Sequence, residues 1–470
     1  MLTAKLRRVP RLRLTVPPTE GEENVYVSGQ ASSGSNPGWA LWQKACELIP
    51  GGGMLLSKRP ELFAPEQWPT YFSRAKGCRV WDLAGREYVD MQMSVGQAIC
   101  GYADPDVDAA VRDRVERGVT TTLSTPDEVE LAELLCDIFE CAEMVRFTRT
   151  GGEALAVAIR IARAHTERDR VAFCGYHGWS DWYLAANLVG DDTLDGHLLP
   201  GLAADGVPKA LAGTVLPFEY NHPEQLECLL AKYRGEFAAI IMEPIRQHDP
   251  DPAFLPTVRR LADEHGCVLI FDEVTVGFRY AMGGAEEVLG VTGDMAVIAK
   301  AMSNGYAMAA VMGRRNVMRS AGRTFISSSY WTEGIGPAAA LATIKKLRAV
   351  DAPQHFWRLG ERVQQGIGEL AGKHGLAVRV MGKPPLPSFG FEFGDDPLAV
   401  STLFTQEMLS RGFLAGKSVP LSLAHDDAVI DRYLAAMDET FAIMADAVAK
   451  NDVTTRLRGP VAQSTFRRMA

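Results

Sequence analysis

Two residues in the second half of the chain have side chains suited to the chemistry of carbonyl compounds. Lys300 ends the largely apolar segment 294–300, and Asp272 follows the apolar residues 268–271. Burial disfavours the charged form of a lysine, and a neutral amine can attack a carbonyl carbon, which is how a lysine holds an aldehyde cofactor as a Schiff base. A carboxylate at the end of a buried strand can pair with the ring nitrogen of pyridoxal phosphate. Together the two residues predict a pyridoxal phosphate site, whereas each alone is compatible with a solvated lysine or with an aspartate paired to Arg279.

Two further polar clusters have the composition of a cofactor site. Thr150, Gly151 and Gly152 stand between an apolar strand and an amphipathic helix. An anion can bind at such a junction, because the first amide groups of the helix are free and the helix dipole favours negative charge. Glycine in addition lets the anion approach the backbone closely. Tyr176 and His177 follow another strand and offer a flat side chain for stacking on an aromatic ring. The alternatives are a plain glycine-rich turn and a packed loop aromatic.

The elements that must position these clusters alternate along the chain between helices and short strands. From about residue 105 to 345, amphipathic helical stretches separate continuous apolar runs, a pattern typical of a mainly parallel sheet covered on both faces. Ligands bind such sheets at the carboxyl ends of the strands. Each polar cluster follows one of these ends, so a single site is expected. The apolar runs are 144–147, 171–173, 238–242, 268–271 and 295–298.

The sequence divides into a large central domain and a smaller domain built from both chain ends. The predicted fold class is therefore α/β, with a large mainly parallel sheet and a smaller α+β domain. A turn at residues 84–86 between two strand-like stretches predicts a hairpin in the small domain. The predicted boundaries are a disordered or extended lead-in at 1–38, the N-terminal part of the small domain at 39–95, the large domain at 96–345, the C-terminal part of the small domain at 346–450, and a basic tail at 451–470.

Composition excludes several classes of protein. A net charge of −9 disfavours nucleic acid as the main partner. The eight cysteines are scattered without zinc spacing, which predicts reduced thiols, no metal site and a cytoplasmic location. No apolar run reaches the roughly 18 residues of a membrane span.

The motifs together resemble those of the class III (ornithine/omega type) aminotransferases, and within them the branch that holds glutamate-1-semialdehyde 2,1-aminomutase. The resemblance rests on segments 176–178 and 271–279 and on Lys300 followed by 303–305, and it extends from about residue 39 to 445. It implies the fold-type-I architecture of pyridoxal phosphate enzymes and a homodimer in which both subunits shape each site. It also implies an amino donor and a carbonyl acceptor as small-molecule partners.

The resemblance further implies a role for each matching residue. Lys300 would be the Schiff-base lysine and proton shuttle, and Asp272 would pair with the pyridine nitrogen, which makes these two the catalytic residues. Glu243 matches the Glu-Pro segment of the family and would line the substrate pocket. The implied cofactor contacts are Thr150, Gly151, Gly152, Tyr176, His177 and, towards the phosphate of the neighbouring subunit, Thr332.

The chain departs from the family pattern around the phosphate and the substrate. The usual Ser-Gly-Thr is here Thr150-Gly151-Gly152, so a hydroxyl is missing at position 152 and is expected from Thr150 instead. The Gly-Asn-Pro and Ser-Pro-Val-Arg segments of the aminomutase are replaced by residues 335–337 and 55–60. These differences favour an aminotransferase in a biosynthetic pathway, with the aminomutase, a pyridoxal phosphate epimerase and a non-catalytic relative as alternatives. Intact Lys300 and Asp272 argue against the last of these.

Aromatic residues are the only sequence signal for the substrate. Tyr330, Trp331 and Trp182 predict an aromatic or sugar-stacking pocket, and core packing or a dimer contact is the alternative for each. The preferred acceptor is an amino-sugar or polyol-derived ketone.

Overall fold

The strands and helices follow the order expected from the sequence. The computed structural model describes residues 36–190, 192–197, 200–246, 248–394 and 396–464. The strands are β1 (Phe72–Lys76), β2 (Arg79–Asp82), β3 (Glu87–Asp90), β4 (Met144–Thr148), β5 (Arg170–Cys174), β6 (Val215–Pro217), β7 (Phe237–Met242), β8 (Val268–Asp272), β9 (Met295–Ile298), β10 (Ala309–Gly313), β11 (Val378–Met381), β12 (Ser388–Phe391) and β13 (Phe413–Leu414). The helices are α1 (Pro37–Leu48), α2 (Met93–Gly96), α3 (Pro105–Glu116), α4 (Asp127–Ile138), α5 (Gly151–Thr166), α6 (Asp181–Leu184), α7 (Pro223–Lys232), α8 (Phe254–His265), α9 (Gly284–Leu289), α10 (Arg315–Met318), α11 (Ile335–Ala349), α12 (Ala352–His374), α13 (Pro397–Ser410) and α14 (Asp427–Ala449).

The large domain is built on a seven-stranded sheet in the order β4-β10-β9-β8-β7-β5-β6. Only β10 runs antiparallel to its two neighbours, and the other pairs are parallel. Each apolar run of the sequence is one of these strands, while β6 and β10 are additional. Because β10 reverses direction between β4 and β9, all the predicted strands point the same way. Their carboxyl ends therefore meet at one edge of the sheet, where the polar clusters lie.

Helices cover both faces of this sheet, as the continuous apolar strands predict. On one face, α5 buries Leu155, Ile159 and Ala162 against strand residues such as Ile241. On the other face, α8 buries Val258 and its neighbours against the opposite sides of β7 and β8. Strands enclosed in this way hold the residues that follow them in fixed positions.

The small domain combines segments from both ends of the chain. Its sheet has the order β1-β2-β3-β13, in which β2 and β3 form the expected hairpin and β13 joins β3 in parallel. A separate pair, β11 and β12, follows the long helix α12. The predicted fold class, α/β with a smaller second domain, is confirmed. The domain boundaries remain predictions.

The structure describes only residues 36–38 of the predicted lead-in and residues 451–464 of the predicted tail. The lead-in up to residue 35 lies outside the described residues, and Asn36 caps α1 by accepting a hydrogen bond from the Trp39 amide at 3.3 Å. Residues 451–464 are the described part of the predicted basic tail, and they contact α13. There the Ala462 amide donates to Oγ1 of Thr402 at 2.9 Å. In the part of the chain that the structure describes, no helix is both long and apolar enough to cross a membrane.

Candidate active site

Lys300 lies in the turn after β9 and has a backbone conformation that is unusual for a residue with a side chain. Its φ is +40°, a strained value of the kind that clusters at functional sites. Its Nζ donates a hydrogen bond to Oγ1 of Thr275, 2.9 Å away. Burial lowers the pKa of Lys300, while the charges of Asp272 and Glu243 act in the opposite direction. Burial therefore shifts Lys300 towards the neutral amine that carbonyl chemistry requires.

Asp272 ends β8 and is held by a buried histidine. Its carboxylate is 4% exposed, and Oδ2 lies 2.8 Å from Nδ1 of His177, which is fully buried. A carboxylate can only accept, so Nδ1 carries the hydrogen of this bond. Oδ1 accepts from the Val274 amide at 3.1 Å. His177, predicted among the cofactor contacts, is thus fully buried and hydrogen-bonded to the other predicted ring contact, Asp272.

Tyr176 and Glu243 are joined across the ends of β5 and β7. The Tyr176 amide donates to Oε2 of Glu243 at 3.1 Å, and Nε of Arg246 lies 3.4 Å from the same oxygen. A Cβ at Gly175, whose φ is +111°, would lie only 2.5 Å from this carboxylate oxygen, so glycine is needed there. Burial, and then the charge of Asp272, raise the pKa of Glu243.

The start of α5 has the free backbone donors of the anion site that the sequence predicts. Thr150 caps the helix by accepting from the Glu153 amide at 3.3 Å, and Glu153 in turn accepts from the Thr150 amide at 3.0 Å. The amides of Gly151 and Gly152 precede the first intrahelical bond and point out of the helix end. A Cβ at Gly151 would lie 3.2 Å from Cγ1 of Val274. The anion site therefore packs directly against the segment that follows Asp272.

Thr332 lies in a segment that is hydrogen-bonded to Arg149, the residue that follows β4. Nη2 of Arg149 donates to the carbonyl oxygens of Trp331 at 2.9 Å and Glu333 at 2.8 Å, and Nε of Arg149 lies 2.8 Å from Oε1 of Glu333. Oγ1 of Thr332 donates to the Ser329 carbonyl at 3.0 Å. Thr332 is exposed on the single subunit.

Most of the residues predicted for the site lie close together in the structure, but not all of them do. Thr332 stays at the surface, and the side chain of Trp331 packs against the hydrophobic core around α5. Trp182 is 7% exposed and packs on His177, which supports the core alternative for it. The residues that the contacts above bring together are Gly151, Tyr176, His177, Glu243, Asp272 and Lys300.

Sequence reasoning missed three residues of this site. Thr275 contacts the Lys300 amine, Arg149 holds the Thr332 segment, and Arg246 pairs with Glu243. For Arg149 the sequence offered one indication, because an arginine at the end of a buried strand needs hydrogen-bond acceptors for its guanidinium group. Thr275 and Arg246 had none, since their partners are decided by tertiary packing.

Pyridoxal phosphate fits this set of donors and acceptors. Lys300 offers a partly buried amine of lowered pKa for the aldehyde, and Asp272 offers a buried carboxylate for the ring nitrogen. The amides of Gly151 and Gly152 face outward from a helix start, where a phosphate is favoured. A mainly parallel sheet with this lysine, aspartate and anion site along its carboxyl edge defines a pyridoxal-phosphate-dependent enzyme.

The family follows from the comparison of sequences. The model of the family "Aminotransferase class-III" matches residues 63–418, more than half of the 470 residues. The chain belongs to the class-III aminotransferases and is a pyridoxal-phosphate-dependent aminotransferase. The resemblance stated from the motifs is confirmed.

Relatives that are named for different activities have similar sequence identities to this chain. The chain is 32% identical to a 3-aminobutyryl-CoA aminotransferase of Cloacimonas acidaminovorans, over 75% of this chain and 83% of the relative. It is 31% identical to a 2'-deamino-2'-hydroxyneamine transaminase of Streptomyces kanamyceticus, over 85% and 98%. It is 34% identical to a glutamate-1-semialdehyde 2,1-aminomutase of Roseiflexus castenholzii, over 87% and 98%.

A solved structure of similar fold agrees with this assignment. An omega-transaminase from Sphaerobacter thermophilus superposes with a TM-score of 0.78 at 26% identity, covering 88% of this chain and 98% of the other. The architecture is thus shared along nearly the whole length of that enzyme.

Proposed function

We propose that Lys300 and Asp272 carry an amino transfer from an amino acid donor to a hydroxylated aldehyde or ketone. The observation that supports this most directly is the Lys300 amine, whose pKa is lowered by burial and which is hydrogen-bonded to Thr275 beside Asp272. Such an amine can bind a cofactor aldehyde and exchange protons with the substrate carbon.

Each residue of the site has a separate task in this proposal. When bound, pyridoxal phosphate supplies a protonated ring that accepts the electron pair left on the substrate carbon as its proton departs. Asp272 would stabilise the proton on the ring nitrogen, and His177 holds Asp272 in place through the hydrogen bond between Nδ1 and Oδ2. Nζ of Lys300 takes the proton from the substrate carbon and returns it, with Thr275 orienting the amine. The amides of Gly151 and Gly152, with the Thr150 hydroxyl, would hold the phosphate, and Tyr176 would stack on the ring.

The proposed acceptor is based on a cavity next to the Lys300 turn. The cavity has a volume of about 560 Å³ and is lined by residues 304–306, which follow Lys300, and by segments 57–58 and 92–98. Its polar lining includes the neutral side chains of Ser57, Gln92 and Gln97, and its charged lining consists of Lys58, Asp90 and Asp108. Hydroxyl and amide groups recognise hydroxyls by hydrogen bonding, so a polyol-derived or amino-sugar ketone suits this lining. One relative is named for a hydroxylated substrate, 2'-deamino-2'-hydroxyneamine.

The aminomutase reaction is the second candidate, because the Roseiflexus relative of that name is 34% identical over 87% of this chain. In that reaction the amino group returns to a neighbouring carbon of the same molecule. Conversion of glutamate-1-semialdehyde to 5-aminolevulinate without an added donor would establish it, and its absence would exclude it.

A homodimer is proposed from the apolar surface near Thr332. Leu123 is 80% exposed, Phe325 83% and Tyr330 77%, which are high values for large apolar side chains on a single subunit. The Gly334 amide donates to the Val119 carbonyl at 2.8 Å, so these segments lie close together. A second copy that covers this surface would bring Thr332 to the phosphate of its partner. Light scattering should show a dimer, and Tyr330→Asp should weaken it.

A cytoplasmic location is proposed because all eight cysteines are free thiols, as in proteins of reducing compartments. Fractionation of cells that express the protein would test this.

One experiment separates the proposed chemistry from simple cofactor binding. Borohydride reduction of the purified protein, followed by peptide mass spectrometry, should place the reduced cofactor on Lys300. A panel of amino donors and carbonyl acceptors should then show transfer to a hydroxylated acceptor. Reduction that labels another lysine would reject the assignment of Lys300, and transfer only to acceptors without hydroxyls would reject the substrate class.

A further inference from the structure

The start of α5 is covered by the loop that leaves the end of β5. Gly178 has a φ of +93°, and a Cβ there would lie 3.2 Å from Cα of Gly152. Oγ of Ser180 lies 3.5 Å from the Gly152 carbonyl oxygen. These two contacts place the residue between them, Trp179, across the N-terminal end of α5.

Trp179 occupies the space that a side chain at position 152 would need. A Cβ at Gly152 would lie 3.0 Å from Nε1 of Trp179 and 3.3 Å from Cδ1. Both distances are shorter than ordinary van der Waals contacts, so a larger residue at 152 requires the indole to shift by a few tenths of an ångström. The glycine that departs from the family pattern therefore lies in direct contact with this tryptophan.

The indole nitrogen lies where the missing hydroxyl side chain would begin. Within the described parts of the chain, the N–H of Trp179 has no hydrogen-bond partner, and the side chain is 69% exposed. Thr150, from which we expected a replacement hydroxyl, caps α5 by accepting from the Glu153 amide, which leaves its own hydroxyl hydrogen free to donate. At position 152 itself the hydroxyl is missing, and the indole N–H of Trp179 is the side-chain donor beside it.

An indole N–H is chemically suited to this position. It donates a hydrogen bond and cannot accept one, as do the amides of Gly151 and Gly152 at the same helix end. A phosphate dianion presents acceptor oxygens to such donors, and the helix dipole favours its negative charge.

We propose that the indole N–H of Trp179 binds the phosphate group of the cofactor in place of the hydroxyl that is missing at residue 152. This inference rests on the proposed role of Gly151 and Gly152 as phosphate donors. It adds a cofactor contact from the end of β5 that the family motif does not contain.

The test compares two ligands that differ only in the phosphate. Trp179→Phe removes the N–H and keeps an aromatic ring. The full-length protein, freed of cofactor, is titrated with pyridoxal phosphate and with pyridoxal, which lacks the phosphate. The variant should bind pyridoxal phosphate roughly ten- to a hundredfold more weakly, as expected for one lost hydrogen bond to a charged group, and should bind pyridoxal unchanged.

A second pair of variants tests the exchange between the two positions. Trp179→Ala removes the indole from the space beside residue 152, so adding Gly152→Thr to it should restore most of the affinity for pyridoxal phosphate. Gly152→Thr alone should weaken binding because its side chain meets the indole. Trp81→Phe on β2, where Arg74 stacks on the indole ring, is the matched control and should change neither affinity.

The outcomes separate this inference from the cofactor assignment. If Trp179→Phe weakens both ligands equally, or neither, the indole only packs and the proposal is overturned while the cofactor assignment stands. If the wild-type protein binds neither ligand, both are overturned. Circular dichroism of each variant shows whether a loss of affinity comes from misfolding.

Discussion

A buried glutamate next to Asp272 should make the protein less stable as the pH rises. Glu273 is 0% exposed, and its Oε1 accepts from the Ala285 amide at 2.8 Å. Its Oε2 has no partner among the residues that the structure describes. Burial raises the pKa of Glu273 from 4.5 to about 8, with the charges of Glu286 and Asp272 acting in the same direction. The folded protein therefore holds a proton that the unfolded chain releases.

The size of the effect follows from the two pKa values. Between about 4.5 and 8 the folded state binds more protons than the unfolded state, so the free energy of unfolding falls by about 1.4 kcal/mol for each pH unit. This stability is fully present below the unfolded pKa and is lost as the pH rises through the folded one. Between about pH 5.5 and about pH 7.5 the loss is roughly 3 kcal/mol. For a chain of 470 residues this corresponds to a fall in Tm of about 3 °C.

Thermal unfolding of Glu273→Gln measures this contribution. Glutamine keeps the acceptor for the Ala285 amide and cannot ionise. Its Tm relative to the wild-type protein should therefore rise by about 3 °C between about pH 5.5 and about pH 7.5. Glu47→Gln, on the exposed side of α1, is the control and should show no such change. A difference between Glu273→Gln and wild type that is the same at both pH values would refute the reasoning, because Glu273 would then be ionised in the folded state.

The remaining predictions concern the site itself. Lys300→Ala should lower turnover by about a thousandfold or more because the proton-transferring amine is lost, with an unchanged circular dichroism spectrum; residual transfer near the wild-type rate would argue against its role. His177→Phe should lower kcat by roughly ten- to a hundredfold in steady-state assays, with little change in the donor KM, because Asp272 loses its buried partner. Arg149→Met should lower both the Tm and the retention of cofactor on dialysis, because the carbonyls of Trp331 and Glu333 lose their donor; retention equal to wild type would show that the Thr332 segment is held by other contacts.

Tertiary structure decided several features that no sequence pattern indicated. The insertion of β10 between β4 and β9 reverses one strand of the sheet, although its apolar residues resemble those of any buried strand. His177 and Asp272 are 95 residues apart in sequence, and their contact depends on the order of strands in the sheet. The contact of residues 451–464 with α13 likewise depends on tertiary packing.

The sequence by itself determined the class of chemistry and the edge of the sheet where it occurs. Lys300, Asp272 and the Gly151-Gly152 turn were all identifiable because each follows an apolar strand, and parallel strands end at one edge whatever their order. What only the tertiary structure decided is which side chains surround them: Thr275 at the lysine amine, His177 behind the aspartate, and Trp179 in the space beside Gly152. Strand ends are specified by local patterns of residues, whereas these partners come from loops distant in sequence, so their positions depend on how the whole core packs.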